Sequence, residues 1–465
     1  MSDLKFGTSG LRGLVTELTD DICASYTAAF LVHLAATDQA GKDKTLLVGR
    51  DLRKSSPRMS NACLGAAARA GWTAIDCGAL PTPALALEAL RRAAPAIMVT
   101  GSHIPDDRNG LKFYAPIGEI TKDDEAGILR ALAGLAGAAN GSGAAQIDDA
   151  VLARYAKRYT AIPDFALNGM TIGVYQHSTV ARDVISEIIT GLGGKAMALG
   201  RSDAFIPVDT EALRPEDVAL AKQWAGERKL DAIVSADGDA DRPLIADETG
   251  TFLRGDVVGL LTAAMLGADI VVTPVTSTSA VESSGLFGEV RRTRVGSPYV
   301  IAAMAANPSE IVVGFEANGG VMLGSDLRFG DATLAALPTR DAVLPILAVL
   351  SLASKKGLSL SQLVATLPAR FTASDRLKEI PGARSAAFLT GLTDPAKAAA
   401  FLGNLADFQS IDQTDGVRLA LTSGEFLHYR ASGNAPELRC YTDAATPERA
   451  AELLVWGLDQ AAKAV

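Results

Sequence analysis

The feature that most constrains this chain is a unit repeated along its length. A short apolar run leads into a polar or glycine-rich turn and then, in most cases, an alanine-rich helical stretch. Thr45–Val48 precedes Gly49-Arg50-Asp51, Ala96–Val99 precedes Thr100-Gly101-Ser102, and Thr171–Tyr175 precedes Gln176-His177-Ser178. Ala232–Ser235 precedes Asp237, Ile270–Thr273 precedes Pro274, and Ile311–Val313 precedes Gly314-Phe315-Glu316. This alternation predicts an α/β fold with mixed, largely parallel sheets. In such sheets the polar residues that do chemistry lie beyond the carboxyl ends of the strands. The recurrence points to internal duplication, although the repeats share too little sequence to align.

At 465 residues the chain exceeds what one core serves. Ala136–Gly143, built only of Ala, Gly, Asn and Ser, reads as a loose connection. Further breaks are expected near Thr249-Gly250 and near Pro368–Thr372. The expected division is 1–145, 146–250 and 251–367 as three α/β units around a central cleft. Residues 368–465 would form a smaller α+β unit, with strands near Val417–Thr422, Phe426–Arg430 and Leu438–Tyr441 before a final helix.

The turns carry the chemistry. Asp237-Gly238-Asp239-Ala240-Asp241-Arg242 places carboxylates at alternate positions of a loop, where they can converge on one hard cation such as Mg²⁺. The spacing overlaps an EF-hand, with Glu248 at loop position twelve. Arg242 stands where that motif needs glycine, and Pro243 follows, so calcium is discounted. The plain alternative is a solvated acidic turn. Ser102, in Val99-Thr100-Gly101-Ser102-His103-Ile104-Pro105, lies in a Gly- and Pro-bounded turn. It has no GxSxG elbow around it, and the chain has only four histidines (His33, His103, His177, His428), so an acyl-transfer triad is poorly supported. A phosphorylated serine facing a cation fits better, because in-line phosphoryl transfer needs positioning and charge neutralisation more than a strong base. The plain alternative is a helix N-cap.

Lys112 follows shortly and can supply positive charge or a proton; by itself it reads as a surface lysine. Gly7-Thr8-Ser9-Gly10-Leu11-Arg12-Gly13 lets backbone approach an anion and presents Arg12. Gly314-Phe315-Glu316-Ala317-Asn318-Gly319-Gly320 offers a carboxylate and an amide suited to sugar hydroxyls. Arg430-Ala431-Ser432-Gly433-Asn434-Ala435-Pro436-Glu437-Leu438-Arg439 has the composition of a phosphate cradle, or of a hairpin turn.

A net charge of −9 argues against general nucleic-acid binding, though not against small anions held by local arginines. Cys23, Cys63, Cys77 and Cys440 are scattered, without a CxxC pair, as expected of reduced thiols. The first residues lack an apolar signal core. The apolar runs Val257–Ala268 and Ala342–Ala353 fall short of the ~20 residues a bilayer span takes. A cytoplasmic protein without membrane partners is expected.

Taken in order, these motifs resemble the α-D-phosphohexomutase family over nearly the whole chain, and within it look most like the phosphomannomutases. The resemblance implies a Mg²⁺ enzyme with phosphorylated Ser102. It implies Asp237, Asp239, Asp241 and the Ser102 phosphate as metal ligands. Arg12 and Lys112 match positive groups beside the transferring phosphoryl, and His103 matches a residue that orients the loop. Glu316 and Asn318 match the sugar loop; Arg430, Ser432, Gly433 and Asn434 match the phosphate loop, and Arg242 and Arg439 add positive charge to substrate binding. A hexose 1,6-bisphosphate is the implied intermediate and activator, and a monomer or homodimer the implied assembly.

There are departures. The family's sugar loop reads Gly-Glu-x-Ser-Gly-His, whereas here Asn318 stands for Ser and Gly320 for His. Ser297, in Val295-Gly296-Ser297-Pro298, lies where many relatives place a histidine. Proton transfer then rests on Lys112, Arg12 and water, or on His177, for which a structural role at a helix start is the preferred reading. Phosphoglucomutase and phosphoglucosamine mutase activities remain open, as does a non-catalytic sugar-phosphate binding protein, which would need neither Ser102 nor the aspartates.

Overall fold

The structure, a computed structural model, describes residues 4–7, 10–41, 43–135, 145–305, 309–405, 407–432 and 436–465. The proposed connection at 136–143 therefore lies outside the described residues, as do Thr8, Ser9, Gly433 and Asn434.

One four-stranded arrangement occurs three times. Thr45–Arg50 pairs in parallel with Thr73–Ala79 and Ala96–Val99, and Ala96–Val99 pairs antiparallel with Arg108–Ala115. Thr171–Tyr175 pairs in parallel with Lys195–Leu199 and Ala232–Ala236, and Ala232–Ala236 pairs antiparallel with Pro243–Ala246. Ile270–Pro274 pairs in parallel with Glu289–Thr293 and Val312–Phe315, and Val312–Phe315 pairs antiparallel with Val321–Leu323. The duplication that the sequence only suggested is thus explicit in the strand order.

It also corrects one expectation. The turns after Ala96–Val99, Ala232–Ala236 and Val312–Phe315 lead into antiparallel strands and not into helices. A tight turn suffices for an antiparallel return, whereas a parallel neighbour needs a crossover of a dozen residues or more. Ser102 is consequently not a helix N-cap. Each α/β sheet mixes parallel and antiparallel pairs, and the last sheet is wholly antiparallel. That sheet comprises Phe371–Lys378, Phe408–Asp412, Val417–Leu421, Phe426–Ala431 and Glu437–Ala444. It is backed by the helices Gly382–Leu392, Pro395–Leu402 and Pro447–Ala464.

Three additions shape the first sheet, one of them the short strand Gly118–Glu119 paired antiparallel with Arg108–Ala115. Lys5–Gly7 and Gly10–Leu14 form a hairpin on its edge, and Arg12 lies opposite Gly110, beside the Lys112 strand. At the other edge Gln146–Ile147 joins Thr73–Ala79 in parallel.

The two long apolar runs become the helices Gly255–Leu266 and Val343–Lys356, which pack against each other and are largely buried. Among the described residues no helix is long and apolar enough to cross a membrane. All four cysteines are free and buried. One apolar core runs through the first three sheets, joining Leu47, Val234, Phe315 and Leu347. Burial of each such side chain is worth roughly 1.5–3 kcal/mol. The last sheet has a separate core around Leu419, Tyr429 and Cys440. Polar contacts tie it to the third sheet's unit: Asp443 accepts from Ser279 N at 2.7 Å, Arg370 Nε donates to Ser279 Oγ at 2.7 Å, and Asp415 accepts from Val295 N at 3.0 Å. A small unit with its own core, docked through polar groups, leaves a cleft between itself and the rest.

Candidate active site

The three antiparallel returns bring their loops to one place. In the first, Ser102 adopts φ +52°, a left-handed conformation that costs a non-glycine residue roughly 1–2 kcal/mol. Its neighbours hold it there. Ser102 N donates to Thr100 Oγ1 at 2.8 Å, and Thr100 Oγ1 donates to Asp51 at 2.8 Å. The guanidinium of Arg53, wholly buried, donates to the carbonyls of Ser102 (2.9 Å), Ile104 (2.6 Å), Pro105 (2.8 Å) and Arg108 (3.1 Å) while pairing with Asp51 at 3.1 Å. Gly101 is required here, since a Cβ would lie 2.7 Å from Arg53 Cζ. Phe205 covers the other face of that guanidinium at 3.9 Å.

The loop sets Ser102 Oγ 2.6 Å from Asp237 Oδ2 and 3.2 Å from His103 Nδ1. Burial, Arg242 and Arg12 hold the His103 imidazole down to about 2, so the ring is uncharged at neutral pH.

The second return carries the aspartates. Asp237, Asp239 and Asp241 are all buried, and each offers a carboxylate oxygen within 4.8 Å of the others. Asp239 Oδ2 accepts from Lys112 Nζ and from Thr82 Oγ1, both at 2.6 Å. Asp241 Oδ2 accepts from Lys112 Nζ and Arg340 Nη2, both at 2.7 Å. The second oxygens, Asp239 Oδ1 and Asp241 Oδ1, are buried with no hydrogen-bond partner. Unpaired buried carboxylate oxygens are costly. Three convergent buried carboxylates, two of them with an oxygen lacking a hydrogen-bond partner, fit a hard divalent cation that takes oxygen ligands, Mg²⁺ in particular. The electrostatics agree: burial, Asp241 and Asp239 push the Asp237 carboxyl well above the usual carboxylate range, a burden that a cation relieves. Burial is outweighed at Asp241 by Arg340, Lys112 and Arg242, which hold it well below that range. Burial likewise opposes the Lys112 charge, but Asp239 and Asp241 raise its pKa. Lys112 is thus a fixed cation bridging two of the aspartates and not a surface lysine. Glu248 takes no part, accepting instead from Ser359 at 2.6 Å.

The third return and the last sheet complete a cavity of about 170 Å³, lined by Arg12, Arg242, Arg340, Arg430 and Arg439 with Glu211, Glu316, Asn318 and Ser432. Arg242 Nε and Arg439 Nε are buried without hydrogen-bond partners, although Arg242 Nε lies 3.7 Å from Asp241 Oδ1. A second space beside it, about 350 Å³, is lined by His103, Glu211, Arg376 and Arg439. In a protein of net charge −9 this concentrates positive charge at one place. Arg12 is lowered by burial and by Arg242 and Arg340, a measure of how closely these guanidinium groups crowd. Glu316 accepts from Arg340 Nη1 at 2.7 Å, and Arg430 Nε pairs with Asp415 at 2.7 Å. Asn318 uses its Oδ1 on Gly320 N at 2.9 Å, which leaves its amide N–H groups as the donors it can offer the cavity.

One expected site residue does not line the cavity. Ser297 is wholly buried and donates to Glu119 Oε2 at 3.1 Å; the cavity is lined instead by Val295 and Gly296. Ser297 was expected at the site because many relatives place a histidine there; here it is the first residue of the helix Ser297–Ala303, and its hydroxyl is turned to Glu119. His177 has the structural role that was its preferred reading: it is buried, with Nε2 2.9 Å from Ala236 O and its ring on Tyr175, and burial holds it down to about 4. It braces the strand that leads to the aspartates. Arg53, Thr82 and Arg340 were not anticipated. The signal for Arg340 was the polar run Thr339-Arg340-Asp341 between apolar Leu337 and an apolar helix, and that for Arg53 the charged turn after Thr45–Arg50.

Residues 3–136 match the family model "Phosphoglucomutase/phosphomannomutase, alpha/beta/alpha domain I", and residues 254–371 match that of domain III. The chain is 48% identical to a phosphomannomutase of Sinorhizobium fredii, with 98% of each chain covered. It is 45% identical to a phosphomannomutase of Salmonella muenchen, with 97% of this chain and 94% of that one covered. A phosphoglucomutase/phosphomannomutase family protein of Burkholderia thailandensis has a similar structure, with TM-score 0.80, 21% identity, and 99% of this chain and 97% of that chain covered. With the threefold sheet and the clustered loops, these likenesses place the chain in the phosphoglucomutase/phosphomannomutase family.

Proposed function

We propose that this protein is a phosphomannomutase that interconverts mannose 1-phosphate and mannose 6-phosphate through phosphorylated Ser102 and a hexose 1,6-bisphosphate. The observation that carries the reading is the seat of Ser102 Oγ, 2.6 Å from Asp237, a member of the buried three-carboxylate cluster. A binding protein needs neither the strained serine nor the crowded acids. The near full-length identity to phosphomannomutases supports mannose among the hexoses.

In the forward half-reaction the P–O bond to Ser102 Oγ breaks as the sugar hydroxyl oxygen bonds to phosphorus. The hydroxyl proton is lost and Ser102 Oγ gains one, so no net proton leaves the site. Asp237 Oδ2 and His103 Nδ1 lie within reach of Ser102 Oγ to relay it. The bisphosphate then turns over, and its other phosphoryl returns to the same serine. Arg430, Ser432 and Arg439 hold the distal phosphate in both orientations, with Gly433 and Asn434 of the same loop proposed as further contacts. Glu316 and Asn318 read sugar hydroxyls, Arg242 and Arg12 face the transferring phosphoryl, and Lys112 keeps two aspartates in register. Asp237, Asp239 and Asp241 would hold Mg²⁺, which when bound neutralises charge on the transferring group.

We further propose four units divided at residues 145, 250 and 367, a cytoplasmic location, and a monomer or homodimer. The test is a coupled assay with mannose 1-phosphate, glucose 1-phosphate and glucosamine 1-phosphate, each with Mg²⁺ and catalytic bisphosphate. Highest kcat/KM on mannose 1-phosphate is expected. Preference for another sugar would reassign the substrate, and no turnover of any would overturn the mutase reading.

A further inference from the structure

Arg340 occupies an unusual place. It lies on the strand Leu337–Asp341, outside the three chemistry-bearing turns, yet its buried guanidinium reaches into the cavity. Nη1 donates to Glu316 Oε2 and Nη2 donates to Asp241 Oδ2, each at 2.7 Å. One planar group therefore spans the carboxylate of the third return and an aspartate of the second, at a fixed separation that a flexible ammonium cannot reproduce.

The backbone is cut to admit it. A Cβ at position 320 would lie 2.7 Å from Arg340 Cδ and 2.8 Å from the Asp241 carbonyl. Gly320 is thus the residue that lets the arginine stem pass over the glutamate loop. Its strand is anchored from behind: Asp341 accepts from the hydroxyls of Tyr155 and Tyr159 and from Val343 N, and Thr339 donates to Glu119 at 2.9 Å. Arg340 Nε remains buried and without a partner.

We infer that Arg340 is a positioning residue for phosphoryl transfer, coupling the sugar-reading carboxylate Glu316 to the metal-holding carboxylate Asp241, in a space that Gly320 leaves open. It does two things at once. It fixes Glu316 relative to the cluster, so that a hydroxyl held by Glu316 is presented at a set distance from Ser102. It also lends Asp241 a cation that competes with a metal ion for the same carboxylate. The inference rests on the mutase reading above, and its test separates the two.

The experiment compares Arg340→Met, which keeps the stem and removes the charge, with Arg340→Lys, which keeps the charge and one point of contact. Arg340→Met is expected to lower kcat on mannose 1-phosphate by about 100-fold, the scale of a misplaced reacting group, with a smaller change in KM. Arg340→Lys should recover part of that loss. In calorimetric titration with Mg²⁺ alone, Arg340→Met should bind the metal several-fold more tightly than wild type, because a competing cation is gone. A residue that served only to hold the fold would weaken metal and sugar binding together. Glu316→Gln combined with Arg340→Met should lose much less than the product of the two single losses, since both break one coupling.

If Arg340→Met fails to fold, Arg340→Lys carries the test, with kcat expected about 10-fold down. Wild-type kcat in Arg340→Lys, weaker Mg²⁺ binding in Arg340→Met, or fully multiplicative losses in the double variant would overturn the inference. If the wild-type enzyme turns over none of the three sugars, the mutase reading falls, and the Mg²⁺ titration still decides the competition at Asp241.

Discussion

Ser102 Oγ donates a 2.6 Å hydrogen bond to Asp237 Oδ2 across a sequence separation of 135 residues. Each residue ends a parallel strand and begins an antiparallel return, in two copies of the same four-stranded unit. The site is the meeting of equivalent turns, and each turn brings a different chemistry to it.

Ser102→Ala is expected to abolish turnover without altering the fold, since the hydroxyl is replaced by a hydrogen in a loop held by Arg53. Intact-mass analysis of wild-type protein incubated with hexose 1,6-bisphosphate should show one added phosphoryl, and the variant none. Wild-type turnover by the alanine variant would refute the phosphoserine route.

Asp239→Asn keeps the shape and the contact with Thr82 but removes one charge from the cluster. Mg²⁺ affinity should fall by more than the roughly 10–100-fold that losing an outer-shell partner brings. An unchanged calorimetric Mg²⁺ titration would show that the cation sits elsewhere.

Arg53→Met strips four carbonyls of their donor and leaves Asp51, which is 1% exposed, as an uncompensated buried acid. Breaking a buried pair in this way costs about 3–5 kcal/mol. A clear drop in melting temperature is expected, and in the folded fraction a loss of turnover, because the left-handed turn at Ser102 loses its brace. A variant with wild-type melting and kcat would show that the turn holds itself.

Glu88 is a sensor of acid denaturation remote from the site. Only 3% exposed, it accepts from Arg91 and Arg92 at 2.6 Å and from Arg154 at 3.0 Å, joining the helices Thr82–Arg92 and Val151–Thr160. Burial opposes its charge, but the three arginines outweigh it and hold the carboxyl at about 2, below its ordinary 4.5. A lowered folded-state pKa stabilises the fold above 4.5, and that contribution, about 3 kcal/mol, is lost as pH falls from 4.5 through 2. The melting temperature of wild type should exceed that of Glu88→Gln at pH 7, and the gap should close across that window. A gap independent of pH would assign the loss to packing.

The loops at Ser102, Asp237 and Glu316 were legible because each places Gly, Asp, Ser or Asn directly after an apolar run, a local pattern set by backbone geometry and solvation. The aspartate cluster was legible for the same reason, since alternate carboxylates repel one another unless something holds them. Ser297 misled because a position matched by resemblance does not say whether its side chain faces the cavity or the packing, and here the hydroxyl turns to Glu119. Arg53 and Arg340 escaped because neither lies in a chemistry-bearing turn, and their partners stand up to 99 positions away.

The sequence by itself determined the strand-and-turn grammar, the types of group available and the turns that hold them, because periodicity, turn propensity and charge clustering act over a few residues. Only the tertiary structure decided which groups meet. The stacking of three similar sheets on one core brought Ser102 to Asp237 and put Lys112 between two acids. It also ran Arg340 over Gly320. Contacts of that range depend on the relative placement of whole sheets, and no local pattern encodes that.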